Sequence, residues 1–159
     1  MNPVIEVQGL TKDYGQGRGV FDLTFQVEKG EVFGFLGPNG AGKTTTIRQL
    51  MGFVRPTRGG ARILGKDCFR QAAAIQAHTG YLPGELSLMD DLTGDGFLRF
   101  MAQMRGMKGL GSAEELKELF RLDGRQSLRK MSKGTRQKVG LVCAFMAHPE
   151  LLLLDEPTS

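Results

Sequence analysis

Apolar and polar residues alternate near the start of the chain. Across Phe21–Asp22–Leu23–Thr24–Phe25–Gln26–Val27 every odd position is apolar. A period of two is the mark of a strand with one buried face, and Ile5 to Leu10 alternates too, so two strands are predicted. Glu28–Lys29–Gly30–Glu31 has turn chemistry and returns the chain into Val32–Phe33–Gly34–Phe35–Leu36. That run is apolar almost throughout, as expected of a strand buried on both faces. A helix is predicted from Lys43 to Phe53, stopping near Arg55–Pro56, where proline has no amide hydrogen to continue it. Gly59–Gly60 and Gly65 bracket a short strand over Ala61 to Leu64. A helix over Gln71 to Ala77 and a short strand over Gly80–Tyr81–Leu82–Pro83 follow.

From Leu88 to about Leu128 the pattern turns helical. Thr93 is the predicted cap of a helix whose Phe97, Phe100, Met101 and Met104 recur at helical spacing. Ser112 and Glu115 have the spacing of a capping box ahead of Leu116, Leu119 and Phe120. A further helix, roughly Gly134 to Ala147, ends at His148–Pro149, and Leu151 to Leu154 predicts a buried strand closing on Asp155–Glu156. The whole reads as α/β: an N-terminal antiparallel sheet, an α/β core, an inserted helical portion and a return to the core.

At 159 residues one sizeable core is expected, hence one domain over 1–159. The expected parts are a β subdomain with the loop-bearing core (1–87), a helical subdomain (88–135), and a last helix and strand (136–159). No run of about twenty apolar residues is present, as a membrane-spanning helix would require. MNPVIEVQGLTKDYG lacks a basic segment followed by an apolar one, so no secretory leader is expected there. Cys68 and Cys143 are far apart in no metal-ligand spacing and read as two reduced thiols. The net charge of +4 suits an anionic ligand. Its lysines and arginines are scattered and not interleaved with aromatics, so no nucleic-acid partner is expected.

Candidate chemistry enters at Gly37–Pro38–Asn39–Gly40–Ala41–Gly42–Lys43–Thr44, a full match to G-x-x-x-x-G-K-[ST] between a predicted buried strand and a helix. Glycines let the backbone turn with positive φ and aim several N–H groups at one point, which phosphate oxygens fill. The positive end of the helix starting at Lys43 adds to that field. Lys43 is expected to reach the β and γ phosphates of ATP, and Thr44 to offer its hydroxyl to Mg2+. Asp155, at the end of Leu151–Leu154, is a candidate Mg2+ ligand, and Glu156 the candidate for polarising an attacking water. An apolar run ending in two acids is weak evidence alone; the phosphate loop is what gives it meaning.

Two further segments resemble the ABC ATPases. Met131–Ser132–Lys133–Gly134–Thr135–Arg136–Gln137 is similar to that family's LSGGQ signature in a degenerate form, with Lys133 for one of the two glycines and Thr135 for the glutamine. Asp155–Glu156–Pro157–Thr158–Ser159 looks like the family's Walker B segment running into its D-loop. The resemblance implies a P-loop NTPase fold of the ABC ATPase type. It also implies ATP sandwiched in a head-to-tail pair of cassettes, homo- or heterodimeric, with Ser132 and Gly134 addressing the phosphate held by the opposite one. By the same resemblance Tyr14 takes the adenine-stacking position, with a plain strand aromatic as its alternative. Thr45 joins Gly37 to Thr44 in the nucleotide set. Gly84 stands where the family's Q-loop has glutamine, and neighbouring Glu85 is the candidate substitute metal ligand.

GYLPGE and the SKG form of the signature look most like ATPase subunits of ABC-2-type exporters, drug-efflux systems among them. This implies a motor subunit on the cytoplasmic face of the cell membrane, working with a transmembrane subunit. Phe97, Phe100, Met101, Met104 and Met107 are either core or the border of the groove receiving that partner. The family places a switch histidine on a later strand, and neither His78 nor His148 has its position. The expectation is therefore a cassette with its C-terminal part missing and poor turnover. Two other readings stay open: a soluble ABC ATPase acting on ribosomes or DNA, and a binding-only module. Tandem cassettes or long coiled coils would mark the first, and neither is visible.

Overall fold

A two-residue turn joins β1 (Ile5–Gly15) to β2 (Arg18–Val27), where Gln16 and Gly17 both take positive φ, 56° and 73°. That is the geometry whose twist matches an antiparallel pair. The ladder runs from Gly15↔Arg18 to Ile5↔Val27. β3 (Arg58–Ile63) pairs antiparallel with the other edge of β1, placing Ile5 opposite Ile63 and Val7 opposite Ala61, all four buried. With β4 (Lys66–Asp67) the sheet order is β2-β1-β3-β4. At Gly59 (φ 69°) a Cβ would lie 2.0 Å from the Gly9 carbonyl oxygen, so glycine is required where β1 and β3 backbones converge.

The computed structural model describes residues 2–35, 42–84, 86 and 89–155. They fall into two compact units, Met1–Ala77 and His78–Ser159.

In the first unit, α1 (Lys43–Leu50) packs on β2 and β3, and a short α2 (Ala72–Gln76) lies beside β4. α1 ends earlier than the proline at position 56 suggests. Gly52 takes φ 77° and donates to the Gln49 carbonyl, and Phe53 donates to the Arg48 carbonyl. This left-handed cap satisfies the last carbonyls and stops the helix at Leu50. The predicted strand over 32–36 also differs. Residues 31–35 carry no regular structure, and Val32 is 98% exposed. No strand among the described residues hydrogen-bonds to them, and a strand needs a ladder. Phe33 instead stacks on Phe25 of β2, ring centroids 5.0 Å apart.

The second unit is built on β5 (Thr79–Leu82) and β6 (Leu151–Leu154), a parallel pair with Thr79↔Leu151 through Leu82↔Leu154. Parallel neighbours need a crossover, and here it carries α3 (Gly94–Met104), α4 (Ala113–Phe120) and α5 (Lys133–Phe145). Phe97, Leu98 and Ala102 of α3, Ala113 of α4, and Val139 and Val142 of α5 share one core with Leu122, Leu128, Met131 and Met146. Thr93 caps α3 as its sequence predicts, its hydroxyl accepting from the Gly96 amide at 3.0 Å. The capping box at Ser112 does not form. Ser112 sits at φ −90°, ψ 17°, away from the extended conformation a cap requires, and its side chain makes no cap bond. Met104 is largely exposed, whereas Phe97 belongs to the core.

Two buried side chains generate predictions. Gln49 is 1% exposed, and neither amide atom has a hydrogen-bond partner among the described residues. A buried amide left unsatisfied costs about 1–3 kcal/mol, so Gln49→Met, similar in volume and apolar, is expected to raise the urea midpoint. An unchanged or lower midpoint would show that the amide is satisfied. Burial, and secondarily the Asp67 carboxylate, push the Cys68 thiol from 9.0 up to about 12. The unfolded thiol ionises near the lower value, so its contribution to stability is intact below it and is lost as pH climbs toward 12. Urea unfolding at stepped alkaline pH should show a steeper decline for the wild type than for Cys68→Ala.

Candidate functional site

The first unit presents the start of α1. Gly42 caps it in the left-handed region (φ 86°), where a Cβ would stand 2.4 Å from Cγ2 of Val20 on β2. Only glycine fits, and this contact sets the helix start against the sheet. Thr46 donates both its amide and its hydroxyl to the Gly42 carbonyl, each at 2.8 Å. The first turn of α1 thus begins directly after Gly42, and the positive end of the helix lies there. Lys43 and Thr45 are half-buried on this first turn, and the Thr44 side of it is exposed. Gly37, Pro38, Asn39, Gly40 and Ala41 lie outside the described residues.

Tyr14, near the end of β1, keeps its ring 50% exposed, with Lys12 Nζ 5.5 Å from the ring centroid. Asp13 fixes the backbone there. Its carboxylate accepts from the Gly15 amide at 2.7 Å, and its own amide donates to the Thr57 hydroxyl at 3.0 Å. The ring is thus half-exposed beside a backbone that Asp13 fixes.

The second unit carries the remaining candidates at two places. Asp155 follows β6 directly, is 3% exposed, and extends the pairing by donating its amide to the Leu82 carbonyl at 2.9 Å. Gly84 lies against it, so that a Cβ there would be 3.2 Å from Asp155 Oδ2. The sequence marks Gly84 only as a missing glutamine; the structure makes it the neighbour of the buried carboxylate. Glu85 and Glu156 lie outside the described residues. His78 and Glu150, 3.1 Å apart, sit just before β5 and β6, at the opposite end of the pair from Asp155. Four strand residues separate those ends, roughly 13 Å.

Ser132 caps α5 with φ −64°, ψ 163°, its hydroxyl accepting from the Thr135 amide at 3.2 Å. Gly134 is exposed on the first turn, and nothing stands within 4 Å of where its Cβ would be. This turn is anchored from two sides. Met131, immediately before it, is buried in the core, and Arg136 pairs with Asp90 at 2.9 Å. A second tie, Arg129 to Asp91 at 3.1 Å, and the bond from the Leu128 amide to the Leu92 carbonyl join the same two segments. Sequence spacing gives no sign of these pairs, because their partners lie about forty residues apart.

Hydroxyl and carboxylate oxygens are hard donors that suit Mg2+, so Thr44 and Asp155 have the chemistry the sequence assigns them. Among the described residues no group of three or more His, Cys, Asp or Glu forms a metal-holding cluster. No helix of the described residues is long and apolar enough to cross a membrane.

The sequence profile of the family described as "ABC transporter" matches residues 20–159. The chain belongs to the ABC transporter family. It is 37% identical over 161 residues to the "Probable multidrug ABC transporter ATP-binding protein YbhF" of Escherichia coli strain K12, covering 98% of this chain and 28% of that protein. The chain thus spans under a third of that relative's length. Among solved structures it is similar to an ATP-binding subunit of an ABC transporter, 33% identical with a TM-score of 0.85, covering 98% of this chain and 67% of that one. A dimeric ATP-binding cassette in a post-hydrolysis state, bound to ADP and Pi, shares the fold at 21% identity and a TM-score of 0.84 over 97% of this chain and 74% of its own. The fold is that of the P-loop NTPases of the ABC ATPase type, with an antiparallel sheet and α/β elements as the sequence implies.

In this ABC family chain the position of α5 depends on Gly80 of β5, where a Cβ would fall 2.1 Å from the Ala144 carbonyl oxygen. Gly80→Ala is expected to cost about 1–3 kcal/mol, through overpacking against backbone that has no rotamer to yield. Equilibrium urea unfolding measures it, and an unchanged midpoint would mean that the helix stands off the strand.

Proposed function

We propose that residues 1–159 act as an ATP-binding domain of an ABC transporter, binding Mg2+·ATP and coupling its hydrolysis to transport. In this reading 1–87 supply the β subdomain and phosphate-loop core, 88–135 the helical subdomain, and 136–159 the signature helix and the acidic strand end. The observation that carries it is the α1 start, where Gly42 caps the helix in the left-handed region directly before Lys43 and Thr44, within a full phosphate-loop sequence.

Gly37 through Thr45 wrap the phosphates, Lys43 neutralises the β and γ oxygens, and Tyr14 stacks on adenine. Thr44 and Asp155 hold Mg2+, with Glu85 as a further candidate ligand. The metal, when bound, neutralises charge on the β and γ phosphates. Glu156 orients and deprotonates the attacking water. Ser132 and Gly134 meet the γ-phosphate bound by a second cassette in a head-to-tail pair. That a cassette with the same fold is dimeric supports pairing as such. The name of the relative YbhF, a multidrug ABC transporter ATP-binding protein, supports drug transport. Export as the direction, a transmembrane subunit as partner and a place on the cytoplasmic face of the membrane complete the proposal.

Equilibrium titration with ATP in the presence and absence of Mg2+ tests the reading. Lys43→Ala is expected to weaken Mg2+·ATP binding about tenfold or more, the worth of one charge-assisted contact. Turnover by this chain is expected to be poor, and Glu156→Gln should keep Mg2+·ATP binding while removing the residual phosphate release. Equal affinity in the wild type and Lys43→Ala would sink the proposal.

A further inference from the structure

The Ser132 hydroxyl has two neighbours, not one. Its oxygen accepts the Thr135 amide at 3.2 Å and also lies 2.9 Å from Thr135 Oγ1, where either oxygen can be the donor. A serine hydroxyl has two lone pairs and a single proton. If Thr135 donates, both lone pairs of Ser132 are filled by one residue, and the Ser132 proton is left to point away from the helix. If Ser132 donates, its proton is spent on Thr135 and none remains for an anion. These two arrangements differ only by rotation of two hydroxyls, and the nearby charge selects between them. The exposed first turn of α5, with Lys133 and the helix dipole, favours an anion beside Ser132, and an anion favours the arrangement that turns a proton toward it.

We propose that Thr135 is a positioning residue. By donating its hydroxyl proton to Ser132 Oγ, it orients the Ser132 O–H outward as a donor to the phosphate that α5 addresses. This rests on the reading that Ser132 meets phosphate across a pair of cassettes. Chemistry at position 135 then sets the strength of that contact without Thr135 touching the nucleotide. Thr135 is half-buried on the first turn of α5, and its Oγ1 lies 2.9 Å from Ser132 Oγ.

The test compares Thr135→Val, Thr135→Ser and Ser132→Ala in a Glu156→Gln background, following Mg2+·ATP-dependent pairing of the chain by sedimentation. Valine keeps the shape and the backbone cap but removes the hydroxyl. It is expected to raise the ATP concentration for half-maximal pairing about tenfold, the worth of a charge-assisted hydrogen bond. Thr135→Ser should restore the parent value, and the unfolding midpoint of Thr135→Val should stay at that of the parent, because Ser132 still caps the helix. If Thr135→Val pairs as well as the parent or better, while Ser132→Ala is impaired, Ser132 was the donor to Thr135 and the proposal is overturned. An equal loss in Thr135→Val and Thr135→Ser would overturn it too, since packing and not the hydroxyl would then matter. If the parent does not pair with ATP, or Ser132→Ala pairs normally, the reading beneath it fails and takes the proposal with it.

Discussion

Parallel pairing between β5 and β6 is the constraint on which the second unit depends. Two parallel strands cannot be joined by a turn, so the chain must leave at Leu82 and return at Leu151. The described residues between them include α3, α4 and α5, which pack around one core. The same crossover fixes where the chemistry stands. Asp155 emerges at the end of β6 beside Gly84 at the end of β5, and Ser132 opens the helix lying against β5.

Glycine is the device by which these placements are made, and it acts by removing volume as much as by bending the chain. Gly42 combines both, with a positive φ and a Val20 methyl in the space a Cβ would need. Gly80 has an ordinary backbone angle and is required only because α5 approaches β5 so closely. Gly124 is similar, since a Cβ there would meet the Asp95 carboxylate. That carboxylate bonds Lys117 at 2.7 Å. Burial would lower the Lys117 ammonium's affinity for its proton, but hydrogen bonds and charge from Asp95 and Glu114 outweigh it and hold Lys117 above its ordinary range.

Among the described residues, several buried or capping polar side chains are satisfied by the fold and the Gln49 amide is not. Thr46, Thr93 and Ser132 each return a hydrogen bond to the backbone of their own helix. Gln49 has no such return among the described residues although α1 places it wholly inside. Helical spacing dictates that burial, since Thr46, Gln49 and Leu50 share one face of α1.

Much of this was legible in the sequence, wherever a signal is local. The strands β1 and β2, the Thr93 cap and the apolar run ending in Asp155 all depend on neighbours within a few residues. The Gly52 cap is equally local, and it, not Pro56, ends α1. The order of motifs identified the family, because each motif is short and its position along the chain is fixed.

Other features required partners distant in the chain. The run at 32–35 has the composition of a buried strand, yet composition supplies no ladder, and the structure pairs it with none of the described strands. Ser112 has the right spacing for a capping box, but the turn before it sets a backbone angle that spacing cannot encode. The Asp90–Arg136 pair, the Gly80–Ala144 approach and the Gly84–Asp155 neighbourhood join residues more than forty positions apart. Hydrophobic period and motif are properties of the chain, and determine which elements and which chemistry it carries. Close approach is a property of packed elements, and only the tertiary structure decides which side chains share a site.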